Sequence, residues 1–210
     1  MYIPASFRVE EAAVLHSFIE RFGFATLITI RDGSPFASHL PLLLDRERGL
    51  LLGHMARANP HWECLEGTES LAIFTGPHAY ISPSWYVTHP SVPTWNYTAV
   101  HIYGSPRLTS ESRTRGIVDA VVSKYESNRA NPWPNDLPEE YRSNLLGGVV
   151  GFEMPIGRIE GKFKLGQNRP EPDRETMLLH LRSAGADASQ LAEFIDQQSS
   201  CVSTSDDRAR

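Results

Sequence analysis

The residues best suited to hold a charged ligand lie in one decapeptide, Gly53-His-Met-Ala-Arg-Ala-Asn-Pro-His-Trp62. Asn59 is a favourable N-cap residue and Pro60 suits the first helical position, so a helix is predicted to begin there. The start of a helix offers unpaired N–H groups and a partial positive charge, and Arg57 adds a full charge. The pattern indicates an anion site, best matched by a phosphate. A plain capped helix with a surface arginine accounts for it equally well.

Three further segments combine polar and aromatic side chains and are candidates for binding a planar cofactor. Residues 76–86 contain three aromatic residues and two serines beside two prolines, which stiffen a loop. Trp95 and Tyr97 offer flat apolar faces that carry a polar group. Residues 161–169 combine cations with amides directly after a predicted strand. Each segment also fits a structural interpretation: a packed loop, core or interface aromatics, or a solvated charged loop.

The sequence lacks the patterns of several common catalytic and metal sites. Six histidines fall between residues 39 and 101, but none is paired with carboxylates at ligand spacing, and no HExxH motif occurs. There is no GxSxG elbow, no GxGxxG turn and no Walker loop. We therefore expect no metal site and no catalytic side chain. Hydrolysis, Rossmann-type dinucleotide binding and P-loop phosphoryl transfer are all disfavoured.

Composition and charge restrict the partners and the compartment. The chain has 210 residues, 40% hydrophobic content and a net charge of −5. Nonspecific binding to nucleic acid depends on clustered positive charge, so direct DNA binding is not supported. Cys64 and Cys201 are the only cysteines and form no CxxC motif, which favours a reducing cytoplasm. We expect neither a transmembrane helix nor a secretory signal.

The elements that must position these residues are short strands with a few helices between them. Strands are predicted at 24–30, 36–44 and 50–54, and an Asp-Gly pair marks the first turn. Further strands are predicted at 70–75, 79–81, 97–103, 149–154 and 158–165, and helices at 10–22, 60–66, 110–127, 138–146, 173–182 and 188–197. A meander without a βαβ rhythm predicts a mainly β fold, a closed antiparallel barrel with helices outside it.

Several longer motifs occur in a fixed order along the chain. They are Met1-Tyr-Ile-Pro4, His39-Leu-Pro41, the segment 53–60, the segment 76–86, the segment 92–97, Val100-His-Ile-Tyr-Gly104 and Lys164-Leu-Gly-Gln-Asn-Arg169. This order resembles the PaiB family of FMN-binding negative transcriptional regulators, from Met1 to about Arg182. The resemblance implies an antiparallel split β-barrel, as in pyridoxamine-phosphate oxidases and flavin reductases. It also implies a homodimer with FMN at the subunit interface.

The resemblance further implies roles for individual residues. Arg57 and Asn59 fall where related barrels hold the FMN phosphate, in the same motif as His54. Backbone groups at the edge of the isoalloxazine ring would come from three consecutive residues, His39, Leu40 and Pro41.

Two later segments would complete the site. The first would border the ring, from this chain or its partner, with Thr94, Trp95 and Asn96. The second would close the site near the phosphate or the ring carbonyls with Lys164, Gln167, Asn168 and Arg169. Gly166 departs from the family pattern, where serine is common, and the loop 87–91 is short and lacks the customary lysine. Both departures are expected to reshape ligand contacts.

The sequence therefore predicts an FMN-binding split barrel with inserted helices over 1–170, a C-terminal helical appendage over 171–198 and a disordered tail over 199–210. The function implied by the resemblance is that of an FMN-binding regulator. A flavin-dependent oxidoreductase, of the flavin reductase or pyridoxamine-phosphate oxidase type, is an alternative. A module that binds haem or another phosphate-bearing ligand is a second alternative.

Overall fold

The computed structural model describes the backbone of residues 1–206 and the side chains of residues 1–198. The described chain forms two compact units. Unit 1 consists of Met1–Glu10, Thr75–Ala99 and the chain from Gly161 onward, and unit 2 consists of Glu11–Phe74 and Val100–Glu160. Because both units are discontinuous, each is assembled from distant parts of the sequence.

The strands and helices follow the chain in this order. The strands are β1 (Arg8–Val9), β2 (Phe24–Arg31), β3 (Ser34–Asp45), β4 (Leu50–Ala56), β5 (Ser70–Ile81), β6 (Thr94–Gly104), β7 (Arg107–Leu108), β8 (Val149–Pro155) and β9 (Arg158–Lys164). The α-helices are α1 (Ala12–Arg21), α2 (Glu111–Glu126), α3 (Glu139–Gly147), α4 (Glu171–Ser183) and α5 (Ala186–Asp206). Short 3-10 helices occupy Ala5–Phe7, Pro60–Cys64 and Pro83–Trp85.

Unit 2 contains the predicted antiparallel meander, with the strand order β5-β2-β3-β4-β8-β7. The β2–β3 turn places Asp32 and Gly33 at positive φ, 51° and 77°, as a two-residue hairpin turn requires. β4 pairs with β3 only over Leu42–Asp45 of β3. On its other edge, β4 pairs with the whole length of β8. The edge of β3 before Leu42 therefore has no strand partner on the β4 side among the described residues.

Close packing in the core of unit 2 requires a glycine at position 53. Gly53 lies on β4, where an added Cβ would come within 2.5 Å of the Phe152 ring and 2.6 Å of the Leu42 side chain. Both neighbours are almost completely buried. Only a residue without a side chain lets β4 lie this close to them.

Unit 1 pairs β1 with β9 and packs α4 and α5 into its own core. Met177 and Leu181 of α4 and Leu191 of α5 form one buried cluster with Ala79 and Ile81 of β5. The helices predicted as an appendage after residue 170 thus share the core of unit 1. Residue 170 does not coincide with a boundary between the two units.

Some predicted boundaries need correction. The strand expected to end at Thr75 continues through Pro77 to Ile81, and Pro77 O accepts a hydrogen bond from Thr98 Oγ1. The helix expected at 60–66 is the five-residue 3-10 helix Pro60–Cys64. α5 continues to Asp206, since no Gly or Pro interrupts it, so only residues 207–210 of the predicted tail lie outside the described residues.

Candidate functional site

Arg57 follows β4 and ties this segment to the junction between α3 and β8. Its Nε donates to Gly147 O at 2.9 Å and its Nη2 to Val149 O at 3.2 Å. Its backbone N–H donates to Gly148 O at 2.8 Å. An arginine side chain has five N–H donors. Two of those of Arg57 are bonded to these carbonyls, so three remain for a ligand, as far as the described residues show. Arg57 is therefore both a structural clamp and an exposed cation.

A cavity of about 230 Å³ lies beside this guanidinium, and we call it the Arg57 cavity. Trp62, Thr109 and the first turn of α2, with Glu111 and Thr114, also line it. The N-terminal end of the 16-residue helix α2 favours an anion, while the Glu111 carboxylate opposes one. The positive helix end at this cavity is that of α2, which matches the predicted helix 110–127 but was not predicted to lie beside Arg57.

The predicted cap of the Pro60–Cys64 helix is confirmed. Asn59 Oδ1 accepts from His61 N at 3.1 Å, and Pro60 occupies the first position. A single 3-10 turn has few aligned peptide dipoles, so its own attraction for a phosphate is weaker than predicted. Asn59 Nδ2 donates to Ser38 Oγ at 2.9 Å. Both polar groups of the Asn59 side chain are thus engaged within the chain.

Ser38 and His61 form a buried hydrogen-bond network with Asn59, and neither of them was predicted as a site residue. Ser38 Oγ lies 2.8 Å from His61 Nδ1 as well as accepting from Asn59. Burial lowers the pKa of His61, and the positive charge of Arg31 lowers it further, so the imidazole is neutral at pH 7. No sequence motif joins a strand serine to a histidine 23 residues later, so only the fold brings them together.

The residues His39, Leu40 and Pro41 lie on β3 at its unpaired edge. They face Thr26, Ala25 and Phe24 across the β2–β3 ladder. His39 is exposed, with Nδ1 3.0 Å from Thr26 Oγ1, whereas Leu40 is buried. Because β4 does not pair with this stretch, its backbone groups on that side have no strand partner among the described residues.

His54 and Arg57 line different cavities although both belong to the decapeptide. Its side chain lines a second cavity, together with Arg142 and Trp133. Burial lowers the pKa of His54, so it is neutral at pH 7. The structure does not bring His54 to the lining of the Arg57 cavity.

In unit 1, the predicted ring-bordering residues differ in their accessibility. Trp95 is 54% exposed and its ring contacts that of Tyr80 edge-on at 6.1 Å. Thr94 Oγ1 accepts a hydrogen bond from Lys164 Nζ. Asn96 is 1% exposed and donates to the sulfur of Met177, so its amide is not at the surface.

The last predicted segment is mainly occupied with its own turn. Gln167 Oε1 accepts from Leu165 N at 2.7 Å, and its Nε2 donates to Phe163 O at 2.6 Å. Burial lowers the pKa of Lys164, and the charges of Lys162 and Arg169 lower it further. Asn168 is exposed.

Arg169 and a buried aspartate fix the loop that follows β5. The Arg169 guanidinium lies 4.1 Å above the Tyr86 ring and 3.9 Å from Asp173 Oδ2. Asp173 Oδ1 accepts the backbone N–H of Val87 at 2.9 Å and of Thr88 at 2.8 Å. Burial alone would raise the pKa of Asp173, but these hydrogen bonds and Arg169 hold it below its usual value. Asp173, the first residue of the predicted helix 173–182, thus anchors the short loop 87–91.

Gly166 departs from the family pattern for a local reason. Its φ is +85°, and a Cβ there would lie 3.1 Å from Met177 Cε. A serine would be strained in this backbone conformation.

Comparison with known proteins identifies the family of this chain. Residues 1–158 match the family model described as "Putative FMN-binding domain". The chain belongs to this family. It is also 37% identical over 204 residues to "Protease synthase and sporulation protein PAI 2" of Bacillus subtilis, covering 94% of this chain and 98% of that protein. The family resemblance that the sequence motifs indicated is thereby confirmed.

Solved structures confirm the fold class. The FAD and haem binding protein of Mycobacterium smegmatis superimposes with a TM-score of 0.60 at 18% identity, covering 85% of this chain and 80% of that chain. The flavocytochrome Anf3 of Azotobacter vinelandii gives a TM-score of 0.61 at 13% identity, covering 75% and 69%. At such identities the likeness concerns the fold alone, an antiparallel split barrel with peripheral helices. Across residues 1–206, none of the helices combines the length and apolar character that crossing a membrane requires.

Proposed function

We propose that this chain holds FMN with the phosphate beside Arg57 and the edge of the isoalloxazine ring at the unpaired stretch of β3. The observation that carries the proposal is the Arg57 guanidinium, which lines a cavity together with the first turn of α2 and has three N–H donors not used in its bonds to Gly147 and Val149. Cationic donors and a helix N-terminus together favour a phosphate. Membership of an FMN-binding family supports the same ligand.

Each side chain then has a limited task. Arg57 binds the phosphate, and Asn59 fixes the segment by its bonds to Ser38 and His61. The backbone of His39–Pro41 orients the ring edge. Bound FMN supplies the electron and hydride transfer chemistry, so no acidic, basic or nucleophilic side chain is required for that step.

The predicted contributions of unit 1 stay predictions. Among them, Trp95 is best placed to stack on a planar ring, because its exposed face lies beside Tyr80. Asn96 and Gln167 support the local structure instead, since their amides are engaged within the unit.

We also propose that a second copy of this chain covers the exposed face of the β2–β3 hairpin. Phe24 is 66% exposed and Ile30 is 51% exposed on this face, which also carries Ile28 and Ala37. Several large apolar side chains exposed on one face of a sheet are typical of an interaction site. Cofactor pockets usually measure about 300–1,000 Å³, and the Arg57 cavity measures about 230 Å³. A homodimer would supply the missing walls.

The biological role that we propose is regulation inside the cytoplasm, which rests on the resemblance to the PaiB family, while the name of the Bacillus relative refers to protease synthase and sporulation. The net charge of −5 disfavours direct DNA binding, so regulation would act through a partner or a metabolite. Promoter binding at two salt concentrations tests this, because a direct DNA reader loses affinity steeply with salt.

The decisive experiment on the cofactor is spectroscopic. Gently purified protein should show a flavin spectrum, or should quench FMN fluorescence on titration with saturation at one FMN per chain. Subsequent mixing with NADH or NADPH shows whether bound flavin is reduced, which would indicate an oxidoreductase. A folded protein that neither retains nor binds FMN would refute the proposed function.

A further inference from the structure

Unit 2 contains a second cavity of about 200 Å³, which we call the Trp133 cavity. It lies between β4, α2 and the segment 133–146. Val118, Val122 and Leu145 form its apolar walls with Trp133. It shares Leu146 and Val149 with the Arg57 cavity, but Arg57 does not line it. Its size is that of a small molecule, since a cavity of about 150 Å³ can bind benzene.

Hydrogen bonds fix the loop 133–137, which forms one wall of this cavity. Trp133 N donates to the Glu126 carboxylate at 2.9 Å, at the end of α2. Asn135 Nδ2 donates to Asp119 Oδ1 at 3.2 Å, and Asn135 O accepts from Arg142 Nη2 at 2.5 Å. The loop is therefore attached to both α2 and α3, and the walls are largely formed before a ligand arrives.

The polar side of the Trp133 cavity pairs a donor with an acceptor. Arg142 Nη1 lies 3.4 Å from Asp119 Oδ1. Arg142 Nε and His54 Nδ1 are buried, and neither has a hydrogen-bond partner among the described side chains and backbone. Leaving such groups unpaired is costly, and a ligand that brings an acceptor near Arg142 would be favoured.

The charges on this side cancel. Arg142 is balanced by Asp119, and Arg115 is bound by both carboxylate oxygens of Glu139 at 2.5 and 2.8 Å. His54 is neutral at pH 7, because burial lowers its pKa. A neutral lining disfavours a ligand with net charge, since no unbalanced charge offsets the cost of removing that ligand from water.

We propose that the Trp133 cavity binds a small neutral aromatic carboxamide. The ring lies against Val118, Val122 and Trp133. The carbonyl oxygen accepts from the Arg142 guanidinium, and the amide N–H₂ donates to Asp119. The proposal stands independently of FMN binding, because it uses different side chains.

Calorimetric titration of the full chain, saturated with FMN, tests the ligand class with three probes. Benzamide should bind with a saturable affinity in the millimolar range or tighter. Benzoate should bind about tenfold more weakly or worse, because it brings a charge and loses the N–H₂ donor. Toluene should also bind more weakly, because it offers neither an acceptor to the Arg142 guanidinium, whose Nε has no partner among the described residues, nor a donor to Asp119. No saturable benzamide binding, or equal affinity for benzoate or toluene, would overturn the proposal.

Substitutions test the location. Val122→Trp fills the cavity from α2, and Leu145→Trp fills it from a half-exposed position on α3 that tolerates a larger side chain. Either change should weaken benzamide binding by about tenfold or more. Leu179→Trp is the matched control, because Leu179 is exposed on α4 and does not line the cavity. Wild-type benzamide affinity in a folded Leu145→Trp protein would show that the probe binds elsewhere.

Discussion

Replacing Arg57 with alanine separates the two roles that the structure gives to this side chain. In the protein without FMN, the change removes the bonds from Nε to Gly147 O and from Nη2 to Val149 O. Each such bond contributes about 0.5–1.5 kcal/mol net, so the free energy of unfolding should fall by about 1–3 kcal/mol. Urea unfolding measures this loss directly.

The same substitution should weaken FMN binding. A phosphate bound by arginine gains about 1.5–3 kcal/mol from charge-assisted hydrogen bonds, which corresponds to about a 10- to 150-fold rise in Kd. The lower end of this range is expected, because Arg57 is exposed and water screens its charge. Titration of FMN fluorescence against folded Arg57→Ala protein measures the change in Kd.

Two further variants test whether Arg57 binds the phosphate. Arg48→Ala removes an equal charge from a surface pair with Glu153 and should leave the Kd for FMN unchanged. Glu111→Gln removes a carboxylate from the Arg57 cavity and should lower the Kd about two- to fivefold, because it removes repulsion of the phosphate. Unchanged affinity in Arg57→Ala, or equal losses in Arg57→Ala and Arg48→Ala, would remove Arg57 from phosphate binding.

Three other predictions concern stability and assembly. Gly166→Ser should lower the free energy of unfolding by about 1–2 kcal/mol because of its positive φ, whereas Gly116→Ser, on an exposed helix surface, should not; equal losses would contradict the strain argument. Asp173 has a lowered pKa, so its stabilising contribution is present above the unfolded-state pKa of about 3.9 and is lost as the pH falls through the folded-state value. The Asp173→Asn protein should therefore have a lower free energy of unfolding than the wild type at neutral pH, and should lose less of it on acidification. A wild-type pH dependence of the free energy of unfolding in this variant would contradict the role of Asp173 as an anchor. Phe24→Asp and Ile30→Asp should convert a dimer to a monomer in light scattering, and a monomeric parent chain would exclude the proposed interface.

Much of the fold was predictable because it depends on local signals. Runs of apolar and β-favouring residues predicted β2, β3 and β4, and the Asp32-Gly33 pair predicted the hairpin turn. The Asn59 cap before Pro60 needs only neighbouring residues, and it was predicted correctly. The motif order likewise indicated the family, since it depends only on residue types along the chain.

Predictions that depend on distant contacts were less complete. Asp173 is the first residue of a predicted helix, but its carboxylate binds the backbone of residues 87 and 88, more than 80 positions away. The sequence suggested that α4 and α5 form an appendage, yet Met177 and Leu191 share a core with β5. Burial of apolar faces decides such arrangements, and a helical pattern does not show which surface will cover it.

By itself, the sequence determined most of the strands, the first hairpin turn and the family, and it supplied a short list of candidate residues for binding a phosphate. Only the tertiary structure decided that Arg57 donates two hydrogen bonds to backbone carbonyls about 90 residues away, and that His54 lines a different cavity. The physical reason is that turns and caps are short-range interactions encoded by adjacent residues. The partners of a long side chain depend instead on which backbone segments packing brings within hydrogen-bond distance.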